Sequence, residues 1–388
     1  MSTLVQASPG VRSTSDDVAC PERDAAATRL GTERRRVFML SSVLSLLAPV
    51  VPYITGAWEN AWFLLAALPL PLILRAPLFL VGFHLLLSLM LMPVAYYSSY
   101  VLAHAFGLSR QTKRAWLADW LKGTLLGTVL GTVIGGAFIL AVSSLGGLWW
   151  VAFGGLVSVI GVALLFLTPY VLVPLFFKMQ PLADTATVER IHALVERAGA
   201  PVRDVCSLDF SRRTAEANAA VIGIGRSRRV VIADTLLAEF TAGEVDAVVA
   251  HELGHHVERH VQQLLLGNAV LVWIGLALAA RLGPAALPVL SLPSLDYVPG
   301  YPVVFAVTEL YFVLTAPLMN WWSRRLETHA DRFALQLTGD PIAFARAMQR
   351  IGCQNLVEYR PPRWAEMLLA SHPALHRRVA LARSWSSA

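Results

Sequence analysis

Five consecutive residues carry the most legible chemistry in this chain: His251, Glu252, Leu253, Gly254 and His255. Histidines four apart share one face of a helix, so both imidazoles can hold a single ion, and Glu252 can reach a water on that ion. A metal held by three protein groups with one open position is the arrangement of hydrolytic zinc sites, where the ion lowers the pKa of its water to about 7. Glu252 is then placed to take the proton as general base while the metal polarises a carbonyl. The pentapeptide alone is also compatible with a surface helix that happens to carry two histidines. A third ligand decides between these readings, and Glu327 supplies a candidate, directly after an apolar run and at the start of a helical stretch. Asp331, one turn further on, shares its face and can accept a hydrogen bond from a ligand histidine's other ring nitrogen, fixing the tautomer.

These residues need a helix, and the sequence provides one. Thr241 followed by Glu244 forms a capping box, and Ala242–Ala250 is rich in helix formers. Upstream, 185–199 reads as an amphipathic helix with Val188, Ile191, Leu194 and Val195 on one face. Segments 203–209 and 217–224 read as strands, the second turning through Gly225–Arg229 into Val230–Ile232 as a hairpin. The soluble catalytic part therefore occupies 178–261, and a further part with the third ligand occupies 323–388.

Most of the remaining chain belongs in a membrane. Of 388 residues, 56% are hydrophobic and only 15% are charged, well below the usual quarter for a soluble domain. Residues 1–36 read as a polar, flexible tail ending in Arg34, Arg35 and Arg36. An N-terminal bundle spans 37–177, with crossings at 37–53, 77–103, 121–143 and 148–177. Two more crossings lie within 262–322. The stretch 60–76 either crosses, giving seven spans and an outside N-terminus, or re-enters, giving six and an inside one; the arginines at 34–36 favour the second. The basic loops at 104–122, 178–261 and 323–388 belong on the cytoplasmic side. The net charge of +6 follows from this bias, and no basic stripe with stacking aromatics points to nucleic acid. Cys20, Cys206 and Cys353 form no CxxC pair, which argues against a disulfide framework.

Taken together, HExxH, then Glu327 to Asp331 after a span, then Ser371-His372-Pro373, resembles the type-I CAAX prenyl endopeptidases and their bacterial relatives. Asn218-Ala219, the hairpin, Asp234–Leu237 and the loop from Tyr100 to Lys122 extend the likeness to about residues 37–380. The resemblance implies a mainly helical polytopic membrane protein, its spans around a chamber, with a small α+β zincin-like catalytic part. It implies one Zn2+ per chain on His251, His255 and Glu327, with Glu252 as base. It implies that His372 and Arg378 stabilise the oxyanion of the tetrahedral intermediate, and that Asn218 and Ala219 lie on an edge strand pairing with the substrate. The short 283–300 segment suggests a bacterial member in the inner membrane, acting on peptides or proteins that are membrane-associated or lipidated. Two other readings are a stress-type quality-control protease and a catalytically silent scaffold; the intact HExxH and Glu327 weigh against the latter. A transporter would need ionisable groups along its spans, and Glu309 stands almost alone there.

Overall fold

The computed structural model of the chain describes residues 20–223 and 228–385. Part of the expected tail (1–19) and the turn of the expected hairpin (224–227) lie outside the described residues. The membrane part begins with α1 (Pro21–Ile54), α2 (Ala57–Ala66) and α3 (Leu72–Tyr96), which continues through a π-helical turn into the short α4 (Ala103–Ala105). It goes on with α5 (Lys113–Leu145) and α6 (Trp149–Leu167), extended by a second π-helical turn and α7 (Val173–Phe176). The following segment holds β1 (Met179–Pro181), α8 (Thr185–Arg197), β2 (Asp204–Leu208), β3 (Ala219–Ile222), β4 (Arg229–Ala233), α9 (Asp234–Glu239) and α10 (Ala242–Val257). The chain then returns through α11 (His260–Val289) and α12 (Tyr301–Thr338), and closes with α13 (Pro341–Gln354), α14 (Arg363–Leu368) and α15 (Leu375–Arg383).

Among the described residues, five helical segments are long and apolar enough to cross a membrane. One of them, Lys113–Phe176, contains two of the expected crossings, because Gly146 adopts a positive φ of 52° and folds α6 back on α5. Crossing-length helices are therefore α1, α3, α5, α6, α11 and α12. Helix α2, within the ambiguous stretch, has ten residues and rises only about 15 Å, half the hydrocarbon thickness. Its Trp58 is buried and donates to Pro49 C=O at 2.9 Å, tying it back against the end of α1. The spans turn large apolar side chains outward, among them Leu125, Leu140 and Leu314, each more than 60% exposed, as a surface solvated by lipid does.

Two expectations are corrected here. Helix α1 starts at Pro21, so 21–36 is helix rather than tail; Ala27 and Leu30 are buried against Leu102, Leu108 and Leu356, and that apolar contact holds the turns before the span. The cysteines do form a bridge, Cys20–Cys353. The beginning of α1 lies beside the end of α13, where Arg35 also meets Glu358 at 2.6 Å. A pairing across 333 positions leaves no local spacing to read. Cys206 is free and buried.

The sheet has order β1-β2-β4-β3. Strand β2 runs parallel to β4, while β3 pairs antiparallel with it, Ala220 opposite Val231. One face packs on α8 and α10 through Ile191, Leu194, Val230, Ile232, Val249 and Leu253, all at most 1% exposed. The expected strands are present, slightly shortened, and β1 is an addition too brief to show any alternation. The core of α10, α12, α13 and α15 completes this part and fixes how the site is built.

Candidate metal centre

Helix α10 starts at a capping box in which Glu244 Oε2 accepts from the Thr241 N–H at 2.8 Å. Val245, Ala247, Val248 and Val249 are buried on the turns that follow, so the helix reaches His251 already anchored. Helix α12 crosses it closely. The approach depends on Gly254, where a Cβ would stand 3.1 Å from Phe333 Cδ1 and 3.3 Å from Ala330 Cα. A Cβ at 254 would require Phe333 or the α12 backbone at Ala330 to give by a few tenths of an ångström.

That crossing brings three donors to one point. His251 Nε2 and His255 Nε2 lie 3.1 Å apart, and Glu327 places one carboxylate oxygen 3.3 Å from each. Among the described residues these three form the group able to hold a metal ion. Two imidazole nitrogens 3.1 Å apart beside a buried carboxylate are an arrangement that a shared cation satisfies. The electrostatics agree. Burial opposes a charge on His251, but its hydrogen bonds to Asp331 and Glu327 prevail and push its pKa up to about 9. The pull that holds a proton there would also hold a metal dication.

Each histidine is braced from behind. His251 Nδ1 lies 2.9 Å from Asp331 Oδ1; a carboxylate only accepts, so Nδ1 carries the proton and Nε2 keeps its lone pair for the centre. Asp331 is 1% exposed and is itself gripped by Arg378, whose Nη2 donates to Oδ1 at 2.6 Å and Nε to Oδ2 at 2.9 Å. His255 Nδ1 lies 3.1 Å from Nδ1 of His260, whose Nε2 is 2.9 Å from Glu258 Oε2. Read from the sequence, His260 is either solvated or a support behind a ligand; it is 1% exposed and is the support. The signal was hidden by a break: Arg259 has φ 58°, which ends α10 and swings His260, at the start of α11, back under His255.

Glu252, His372 and Arg378 stand around this centre. Glu252 is half-buried on α10, and burial raises its carboxyl pKa. His372 Nε2 stands 3.3 Å from Glu327 Oε1 with its side chain 60% exposed, and Ser371 Oγ lies 2.9 Å from its Nδ1. Asn218 and Ala219 lie at the start of β3, which is the sheet edge nearest α10. A cavity of about 570 Å³ opens beside Asp331 and Arg378, lined also by Arg324, Arg325, Arg332 and Arg377.

Comparison with known proteins adds two family matches. Residues 181–386 match Peptidase family M48. Residues 17–178 match the CAAX prenyl protease N-terminal region, described as five membrane helices; here that stretch holds four crossing-length helices, α1, α3, α5 and α6, with the shorter α2, α4 and α7. An uncharacterized metalloprotease, YhfN of Bacillus subtilis, is 24% identical over 306 residues, covering 77% of this chain and 72% of the relative. A CAAX prenyl protease 1 homolog of Dictyostelium discoideum is 28% identical over 312 residues, covering 77% and 71%. The crystal structure of Ste24p from S. mikatae shares the fold, with a TM-score of 0.84 and 21% identity over 95% of this chain and 90% of that one.

Proposed function

The chain belongs to peptidase family M48 as a membrane metallopeptidase of the CAAX prenyl protease type, and on that premise we propose that it is a zinc endopeptidase of membrane-associated polypeptides. The observation that carries a metal is the convergence of His251, His255 and Glu327. One donor atom from each of His251, His255 and Glu327 lies within 4.8 Å of the others, close enough for a single ion to reach all three. The donor set, two imidazoles and a carboxylate, suits zinc in a hydrolytic site.

Zinc held there supplies a Lewis acid that polarises the scissile carbonyl and acidifies water. The chain's own residues do the rest. Glu252 accepts the proton of the attacking water and passes it to the departing amine, a task suited to a carboxyl group whose pKa is raised. His372, exposed above Glu327, donates from Nε2 to the oxyanion while Ser371 holds the other ring nitrogen. Arg378 stabilises the same charge from behind the metal ligands, while its grip on Asp331 positions His251. Asn218 and Ala219 align the extended substrate backbone along the edge of β3.

Substrates reach this site from the bilayer. Glu327 sits on the same unbroken helix as the last span, so the centre lies just outside the membrane, on the side of the basic loops. We place that side in the cytoplasm of a bacterium, with lipidated or membrane-proximal peptides as the substrate class. The stress-type alternative is weaker because the first spans match the CAAX prenyl protease N-terminal region.

The test is cleavage of a farnesylated CAAX peptide and its unlipidated twin by the purified, zinc-analysed protein, wild type beside Glu252→Gln. Cleavage by the wild type alone, with about one zinc in each protein, supports the mechanism, and the preference between twins reports the lipid dependence. A Glu252→Gln protein as fast as wild type would remove Glu252 from its role. Zinc-loaded wild type inert on both peptides would exclude this substrate class.

A further inference from the structure

The hydrogen-bond alternation of β3 follows from its register. The Ala233 N–H donates to Asn218 C=O at 2.9 Å, so the opposed residues Asn218 and Ala233 form a bonded pair. Alternate pairs, Ala220–Val231 and Ile222–Arg229, are bonded in the same way. The peptide groups of Ala217, Ala219 and Val221 therefore point away from β4, toward the free edge.

Two of these three carbonyls are occupied, those of Ala217 and Val221, so a substrate N–H finds a free acceptor at Ala219. Asn355 accepts from the Ala217 N–H at 2.7 Å and donates to Ala217 C=O at 2.9 Å, making the two bonds an opposing strand would make. At the other end, His256 Nε2 lies 2.6 Å from Val221 C=O. A carbonyl only accepts, so the ring donates, and the imidazole stands where a substrate N–H would approach that oxygen. Gln354 extends the first stop by donating to Ala215 C=O at 2.8 Å. Ala219 is left between them: among the described residues, neither its N–H nor its C=O has a hydrogen-bond partner. His256 directly follows the ligand His255, so this single open place faces the helix that carries the metal centre.

We propose that His256 and Asn355 are stops that restrict substrate pairing on β3 to the one position at Ala219, so that specificity includes the length of extended backbone a substrate may present. The inference rests on the reading of β3 as the substrate-pairing edge. Whether the substrate runs parallel or antiparallel, only one of its N–H groups then meets the strand. A long β-strand cannot be accepted, whereas a short segment emerging from a membrane helix or near a chain end can. The same two contacts would also blunt an exposed edge against unwanted strand addition; substrate binding separates that role from this one.

The experiment measures binding of the farnesylated CAAX peptide to full-length Glu252→Gln protein, with each peptide amide replaced in turn by an ester to delete its N–H. The expected result is one sensitive position, weakened about tenfold. Adding His256→Ala should create a second sensitive position two residues away, and adding Asn355→Ala should create one on the opposite side. His256→Phe, which keeps a ring without the donor, should retain the single position, so a misfolded His256→Ala does not end the test. Two alternating sensitive positions without these substitutions, or an unchanged pattern in both His256→Ala and Asn355→Ala, would overturn the proposal. Insensitivity at every position in every variant would remove pairing with β3 itself, and the stops with it.

Discussion

Arg378 holds Asp331 with two parallel hydrogen bonds, Nη2 to Oδ1 at 2.6 Å and Nε to Oδ2 at 2.9 Å, and Asp331 Oδ1 in turn faces His251 Nδ1 at 2.9 Å. The guanidinium fork suits a carboxylate in a way an ammonium does not. Arg378 on α15 thus reaches His251, a candidate metal donor on α10, through an acid on α12, and three elements share one constraint.

Breaking that constraint should loosen the metal before it alters the chemistry. Asp331→Asn leaves the packing intact but offers His251 a weaker acceptor, so zinc affinity is expected to fall by roughly 10- to 100-fold. Competition with a fluorescent chelator measures it directly. Cleavage at saturating zinc should recover most of the wild-type rate. Unchanged affinity in Asp331→Asn would mean that His251 is held by packing alone.

His260 braces the other ligand, so His260→Ala should show the same signature at His255. The substitution also leaves a buried space and frees Glu258. Zinc should dissociate about tenfold faster in stopped-flow chelation. His260→Gln, which can still offer a polar atom toward His255 Nδ1, should fall between the two. Equal dissociation from His260→Ala and wild type would assign His260 to packing.

Gly254 tests the helix crossing. A methyl group there meets Phe333 and the backbone of α12 within 3.3 Å. Backbone cannot rotate aside as a side chain end can, so α10 and α12 must part slightly. Gly254→Ala is expected to destabilise by about 1–3 kcal/mol and to lower zinc content, both readable from a thermal melt with and without added zinc. A variant with unchanged melting and full zinc would show that the crossing has room to give.

Much of this centre is legible in the sequence because its spacing is local. HExxH and the capping box at Thr241 and Glu244 each lie within one or two helical turns, where sequence separation maps directly onto distance. Glu327 is legible through its position after a span. His260 is not, because helical periodicity would carry it off the His255 face; the left-handed Arg259 reverses that. Asn355 and His256 give no signal either. Each is a lone polar residue, and its meaning depends on which backbone groups of β3 point outward, which requires the register. The short α2 shows the same limit: hydropathy marks 60–76 as apolar, but Pro69 and Pro71, with the packing of Trp58, fix its length.

The disulfide is the feature furthest from local reading, and it has its own consequence. Cys20 precedes the first span and Cys353 lies on α13 of the catalytic part, so the bond closes nearly the whole chain into a loop. A bond of this kind contributes about 2–4 kcal/mol by limiting the unfolded chain, with Arg35–Glu358 at 2.6 Å beside it. Cys353→Ser should therefore lower the melting temperature of the purified protein, and reductant should do the same to wild type but not to the variant. Peptide mapping without reductant should recover the Cys20 and Cys353 fragments joined. Free thiols at both positions in protein isolated with rapid alkylation would instead assign the stability of this junction to the ion pair and to the apolar contact of Leu30 with Leu356.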